Sequence, residues 1–170
     1  MSRRYRVLVA DDEEGIRFSL KLHLEDAGYA VEGVADGEAA VQALRDKDFD
    51  FCLCDLRMPR LDGLGVLRAV TGEGLRTRIL FMSAHADAGT ALQAIELGAV
   101  DYLAKPFETG EVLFRLQRAA EQLALSQRVG QLQQALGEQV SYAGIIARSE
   151  PMQRVFRLIG KVADYKTTVL

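Results

Sequence analysis

Four places in the chain carry residues that could do chemistry, and each lies just after a short apolar run. Asp11, Asp12 and Glu13 follow the run that ends at Ala10. Asp55 follows Asp50–Cys54, Ser83 follows Arg78–Met82, and Lys105, with Pro106 behind it, follows Val100–Leu103. If the runs are strands of one parallel sheet, their carboxyl ends share an edge. Carboxylates, a hydroxyl and an ammonium then meet there. Clustered carboxylates raise one another's pKa unless a cation joins them. All-oxygen ligands suit a hard divalent ion, Mg²⁺ before others. Such an ion neutralises charge on an incoming phosphoryl group. A carboxylate beside it can attack phosphorus and form an acyl phosphate. Lys105 can pair with the phosphoryl oxygens and Ser83 can donate a hydrogen bond to one. Little else is needed, because phosphoryl transfer is mostly positioning and charge stabilisation.

The elements that must position these groups are legible as alternating patterns. Five β-rich apolar runs, Tyr5–Ala10, Ala30–Val34, Asp50–Cys54, Arg78–Met82 and Val100–Leu103, alternate with amphipathic stretches near 13–27, 37–46, 63–70 and 87–97. A last helix begins near Glu108. Gly28, Gly37, Pro59, Gly63, Gly98 and Pro106 punctuate the joins. Strand and helix in alternation predict an α/β fold with parallel strands. The runs are apolar almost throughout, as strands covered on both faces are. The expectation is a five-stranded doubly wound sheet, with the order 2-1-3-4-5 taken over from flavodoxin-like sheets by analogy.

Composition excludes several classes. With 170 residues and 49% hydrophobic composition, the chain can bury one real core with some length left over. The formal net charge is -3, acids and bases are interspersed, and no basic block marks a nucleic-acid face. No apolar run approaches ~18 residues, so no membrane span is expected. The N-terminus is basic and then only briefly apolar before Asp11, Asp12, Glu13 and Glu14 follow, which does not suit a signal peptide, and the chain is read as cytoplasmic. Cys52 and Cys54 share one face of a strand without further ligands nearby, and are expected to be reduced core thiols.

Asp11-Asp12, the segment Cys54-Asp55-Leu56-Arg57-Met58-Pro59 through Asp62-Gly63, Ser83-Ala84, and Asp101-Tyr102-Leu103-Ala104-Lys105-Pro106-Phe107 together resemble the response-regulator receiver family of two-component systems. The likeness covers about residues 4–122. It implies roles position by position. Asp55 is the phosphorylated aspartate, with a sensor histidine kinase as donor. Asp12 is a direct Mg²⁺ ligand, Asp11 assists, and the main-chain carbonyl of Arg57 is a further ligand beside Asp55. Ser83 is the switch hydroxyl, Tyr102 the aromatic switch that turns inward with it, and Lys105 the site lysine, aimed by a cis Lys105-Pro106 bond. The resemblance further implies a phosphoacceptor that catalyses its own transfer and dephosphorylation, not a turnover enzyme. Simpler readings stand beside these. Asp11 and Asp12 precede a helix and suit N-capping. Tyr102 suits ordinary strand packing. His23 is expected to be partly packed, and His85, at the rim, to tune dephosphorylation.

Beyond the receiver the helical pattern continues. Leu113, Leu116, Ala120 and Leu123 give one apolar stripe. Leu125, Val129, Leu132, Leu136 and Val140 give a second, shifted stripe at coiled-coil spacing. Gly130 should weaken this helix and Gly137 end it. The expected organisation is a receiver over 1–122, a helical dimerisation linker over 123–140 and the truncated start of another domain over 141–170. That last part, with Gly144–Ser149, Pro151–Ile159 and a strand opening at Thr167–Leu170, resembles the entry to the AAA+ ATPase domain of NtrC-class, sigma-54-dependent transcription activators. It ends before any phosphate-binding G-x-x-x-x-G-K-[ST] loop. About thirty residues cannot bury a core alone, so the chain is expected to be a fragment of a longer regulator. The resemblance implies contact with RNA polymerase and sigma-54 through domains absent here. An alternative is a metal-dependent phosphohydrolase with an aspartate nucleophile. Hydrolases of the haloacid-dehalogenase type place D-x-D after the first strand, whereas this chain has adjacent Asp11-Asp12 there and lacks a cap insertion.

Overall fold

The computed structural model describes residues 4–84, 88–138, 141–142, 145–146 and 155. Five strands, β1 Arg6–Ala10, β2 Ala30–Val34, β3 Phe51–Asp55, β4 Arg78–Ser83 and β5 Asp101–Ala104, alternate with helices α1 Glu14–Asp26, α2 Gly37–Asp46, α3 Gly63–Gly72, α4 Ala88–Glu96 and α5 Thr109–Glu138. The sheet is parallel with order β2-β1-β3-β4-β5. This is the flavodoxin-like order expected. The chain turns back across β1 between β2 and β3, so the carboxyl ends of β1 and β3 are neighbours at a topological switch point. Two compact units divide the chain, Met1–Ala120 and Glu121–Leu170.

Strand residues alternate faces, and both faces are apolar. Leu8, Ala10, Cys52, Cys54, Ile79 and Phe81 pack with Ala40, Val41 and Leu44 of α2 and Val66, Leu67 and Val70 of α3. Val7, Val9, Leu53, Leu80 and Met82, one step out of phase, are also fully buried. Cys52 and Cys54 are free, buried thiols as expected. Burying a Val, Leu or Phe contributes about 1.5–3 kcal/mol. The two-sided core is therefore what holds the strand ends in register.

The helix starts set the loops of the carboxyl edge. The carboxylate of Asp36 caps α2 through the N–H of Ala39, at 2.8 Å, and Asp62 caps α3 through the N–H of Gly65, at 2.7 Å. The N-cap of α1 is Glu13, without a side-chain hydrogen bond, so capping is not the task of Asp11 or Asp12. Helix α5 runs through Gly130 unbroken and passes Gly137 by one residue, ending at Glu138. One glycine lowers helix stability by only about 1 kcal/mol, too little to break thirty residues. Leu116 and Ala120 of the first stripe are buried, whereas Leu125, Val129 and Leu132 of the second are exposed. Ser141–Tyr142 pairs antiparallel with Ile145–Ile146. The expected strand at Thr167–Leu170 lies outside the described residues.

Candidate functional site

Asp55 is the last residue of β3, and its partner across the ladder is Met82 of β4. Asp11 follows β1 directly, its N–H donating to the carbonyl of Val34 at 3.2 Å. Ser83 closes β4 opposite Ala104, and Lys105 follows β5, its N–H donating to the Ser83 carbonyl at 2.7 Å. Backbone pairing of the sheet thus places all four residues on one edge. The Lys105–Pro106 peptide is cis, as the resemblance implies.

The side chains converge. Nζ of Lys105 lies 2.8 Å from Oδ2 of Asp11, 2.6 Å from Oδ2 of Asp55 and 3.5 Å from Oε1 of Glu13. The other oxygen of each aspartate is held by the main chain: Oδ1 of Asp11 accepts from the N–H of Glu13 at 3.0 Å, and Oδ1 of Asp55 from the N–H of Arg57 at 3.1 Å. Asp11, Asp55 and Ser83 are buried, and Asp12 is exposed at the mouth. Asp11, Asp12 and Asp55 each offer a carboxylate oxygen, all within 4.8 Å of one another.

Burial pushes the carboxyl of Asp11 above its usual range, and the hydrogen bond from Lys105 only partly offsets this. Burial would lower the ammonium of Lys105, but hydrogen bonds to Asp11 and Asp55 together raise it. The site therefore holds more negative charge than one ammonium balances. Hard oxygen donors gathered this closely, with a buried carboxylate poorly satisfied in its ionised form, fit a divalent cation such as Mg²⁺.

The thiol of Cys54 is pushed well above its ordinary value by its hydrogen bond with Cys52, by burial and by the negative charge of Asp55 and Asp11. It stays a neutral thiol, which removes it as nucleophile or ligand. Tyr102 is half-buried and packs against the core cluster, opposite Phe81 of β4 in the ladder. His23 is exposed, contrary to the expected partial packing, with Nδ1 2.7 Å from the carbonyl of Ser19 one turn back. His85 lies outside the described residues.

Two arginines escaped the sequence reading. Nη1 of Arg17, on α1, donates to the carbonyls of Asp11 at 2.7 Å and Asp12 at 2.9 Å. Its signal was position: helical side chains lean toward the helix N-terminus, and Arg17 lies one turn inside. Arg60 sits in the left-handed region, φ 68, and its guanidinium pairs with the buried carboxylate of Asp36. This ties the loop after Asp55 to the start of α2. A cavity of about 560 Å³ opens beside Lys105, with Ile16 and Leu20 of α1 on one wall, Pro106 and Phe107 on the other, and Glu13, Ser19 and Thr109 among the polar groups lining it.

Comparison with known proteins agrees with this arrangement. Residues 7–117 match the response regulator receiver domain. The chain is 30% identical over 165 residues to Regulatory protein AtoC of Escherichia coli (strain K12), covering 97% of this chain and 36% of that protein. It is 34% identical over 164 residues to the DNA-binding transcriptional regulator NtrC of the same strain, covering 96% of this chain and 34% of that protein. It thus spans about a third of the length of these two curated relatives. Among solved structures, the Vibrio cholerae chemotaxis protein CheY4 is 32% identical with a TM-score of 0.66, covering 69% of this chain and 99% of that one. The family match favours a receiver over the phosphohydrolase alternative: the chain belongs to the response regulator receiver domain family.

Proposed function

We propose that Asp55 accepts a phosphoryl group from the phosphohistidine of a sensor kinase, and that the acyl phosphate switches the state of a transcription activator. The observation that carries this reading is the buried ammonium of Lys105, held between Asp11 and Asp55 with the carboxylate of Asp12 within ligand reach. Asp11, Asp12, Asp55 and the main-chain carbonyl of Arg57 would hold Mg²⁺, which supplies charge neutralisation for the incoming phosphoryl group. An oxygen of Asp55 attacks phosphorus as the P–N bond of the donor breaks, and the electron pair leaves with the donor imidazole. Lys105 balances charge on the phosphoryl oxygens, and the hydroxyl of Ser83 turns to donate to one of them. Tyr102 then packs inward, carrying the change to the β5 side of the domain. The same site, with water as acceptor, returns the domain to its resting state. The cavity beside Lys105, with apolar walls from Ile16, Leu20, Pro106 and Phe107 among polar groups, gives a docked kinase helix a place to seat near the acceptor.

The parent protein is read as a cytoplasmic sigma-54-dependent activator, with the receiver over 1–122, a dimerisation linker over 123–140 and the start of an AAA+ domain over 141–170. Likeness to NtrC and AtoC along nearly the whole chain, past the receiver, supports this. Contact with RNA polymerase and sigma-54 would lie in parts absent here. Among the described residues no helix is long and apolar enough to cross a membrane.

The test is covalent labelling. With Mg²⁺ and acetyl phosphate the chain gains a single phosphoryl group by intact mass, and a chelator stops the gain. Asp55→Asn removes it. An equal gain in Asp55→Asn protein rules Asp55 out as acceptor.

A further inference from the structure

Asp11 and Asp12 are consecutive residues, yet both carboxylates come within reach of Asp55. Side chains of neighbouring residues in an extended chain point to opposite sides. The turn between β1 and α1 must therefore be held in one particular shape. The N–H of Asp11 is held by the carbonyl of Val34 on β2, at 3.2 Å. The carbonyls of Asp11 and Asp12 have no strand partner, because the strand ends at Ala10. Arg17 supplies it: one nitrogen, Nη1, donates to both carbonyls, at 2.7 and 2.9 Å. The stem of Arg17 crosses Gly33 of β2, where a Cβ would lie 3.8 Å from its Cβ and Cδ. The guanidinium thus bridges α1 to the loop over the end of the sheet. Both bonds go to the main chain, so Arg17 holds the turn while the carboxylates of Asp11 and Asp12 stay within 4.8 Å of a carboxylate oxygen of Asp55.

We propose that Arg17 is a positioning residue for the divalent cation, fixing the β1–α1 turn so that Asp11 and Asp12 share one ion with Asp55. This rests on the reading of the acid cluster as a Mg²⁺ site. Groups that orient metal ligands in this way typically change metal affinity by about 10–100-fold when removed. A cation beside the site would act in the opposite sense if only its charge mattered, since it repels Mg²⁺. Positioning and bare charge therefore predict opposite signs.

The experiment is calorimetric titration of Mg²⁺ into the metal-free full chain, as wild type, R17M and R17K, with thermal unfolding in chelator to report the fold. The expected result is a Kd about tenfold weaker in R17M. R17K, which keeps an N–H donor of similar reach, recovers part of the loss. The labelling rate of R17M returns toward wild type when Mg²⁺ is raised to saturation. A folded R17M that binds Mg²⁺ as tightly as wild type, or more tightly, overturns the role of Arg17 and leaves the metal site standing. If R17M does not fold, R17Q is read in its place by the same criterion. Absence of Mg²⁺ binding in the wild type overturns both the metal reading and this proposal.

Discussion

Nζ of Lys105 lies 2.6 Å from Oδ2 of Asp55, although the two residues are fifty positions apart in the chain. The side chains of both are more than nine-tenths buried. The pair does two things at once. It holds the loop after β5 onto the end of β3, and it keeps a charged donor against the atom group proposed to take up phosphate. A buried ion pair is stable only where further hydrogen bonds satisfy its members, and here Asp11 and the N–H of Arg57 supply them.

Lys105→Met should slow labelling by acetyl phosphate by about 10²-fold at saturating Mg²⁺, the usual effect of removing one preorganised donor from a developing charge. Mg²⁺ should still bind, because the carboxylates remain. The check is the initial rate by intact mass, with Kd from calorimetry. A rate within a few-fold of wild type would mean that Lys105 is structural only.

The raised carboxyl of Asp11 predicts a pH dependence. Its folded value lies above the ordinary 3.8, so between the two the folded protein binds more protons than the unfolded chain. Stability of the metal-free protein should fall as pH rises through that window. Asp11→Asn removes this part of the slope, and Mg²⁺ should reduce it by favouring the ionised form. Urea midpoints from about pH 4 to about pH 7, with chelator and with Mg²⁺, decide it. Equal slopes in wild type and variant would refute the effect.

Two glycines should respond with opposite sign. A Cβ at Gly63 would overlap the carbonyl oxygen of Asp55 and lie 2.9 Å from Cε1 of Phe81. Gly63→Ala should therefore destabilise by about 1–3 kcal/mol, and shift the acceptor with it. Gly130 is exposed inside α5 with nothing within 4 Å of its Cβ direction. Gly130→Ala should favour the helix by about 1 kcal/mol. Denaturant unfolding and far-ultraviolet circular dichroism measure the pair.

Leu125, Val129 and Leu132 face solvent on α5, at 66%, 53% and 58% exposure. Each gains about 1.5–3 kcal/mol when fully buried, and a two-fold pairing of linkers buries both copies together. The full chain is therefore expected to be a dimer at micromolar concentration. A chain cut after Ala120, or carrying Val129→Glu, is expected to be a monomer. Mass-resolved chromatography separates the outcomes. A monomeric full chain disproves the linker reading, and equal dimerisation of the cut form moves the interface to the receiver.

The alternation of apolar runs with helical periods, and the acids, hydroxyl and lysine placed at the ends of the runs, were legible in the sequence. Both are local signals. Strand and helix each impose a period on burial, and Gly and Pro mark where the period stops. From these followed the α/β class and the carboxyl edge, and with the family resemblance came Asp11, Asp12, Asp55, Ser83 and Lys105. Chain position did not tell capping from ligation for Asp11 and Asp12, since both uses place an acid before a helix. The tertiary structure decided against capping: α1 is entered at Glu13 without a side-chain cap, and Asp11 turns to Lys105, ninety-four residues away. It also decided that Arg17 binds the carbonyls of Asp11 and Asp12, and that Arg60 reaches Asp36. Such contacts depend on the order of the strands and the reach of long side chains across them, and no local periodicity encodes either.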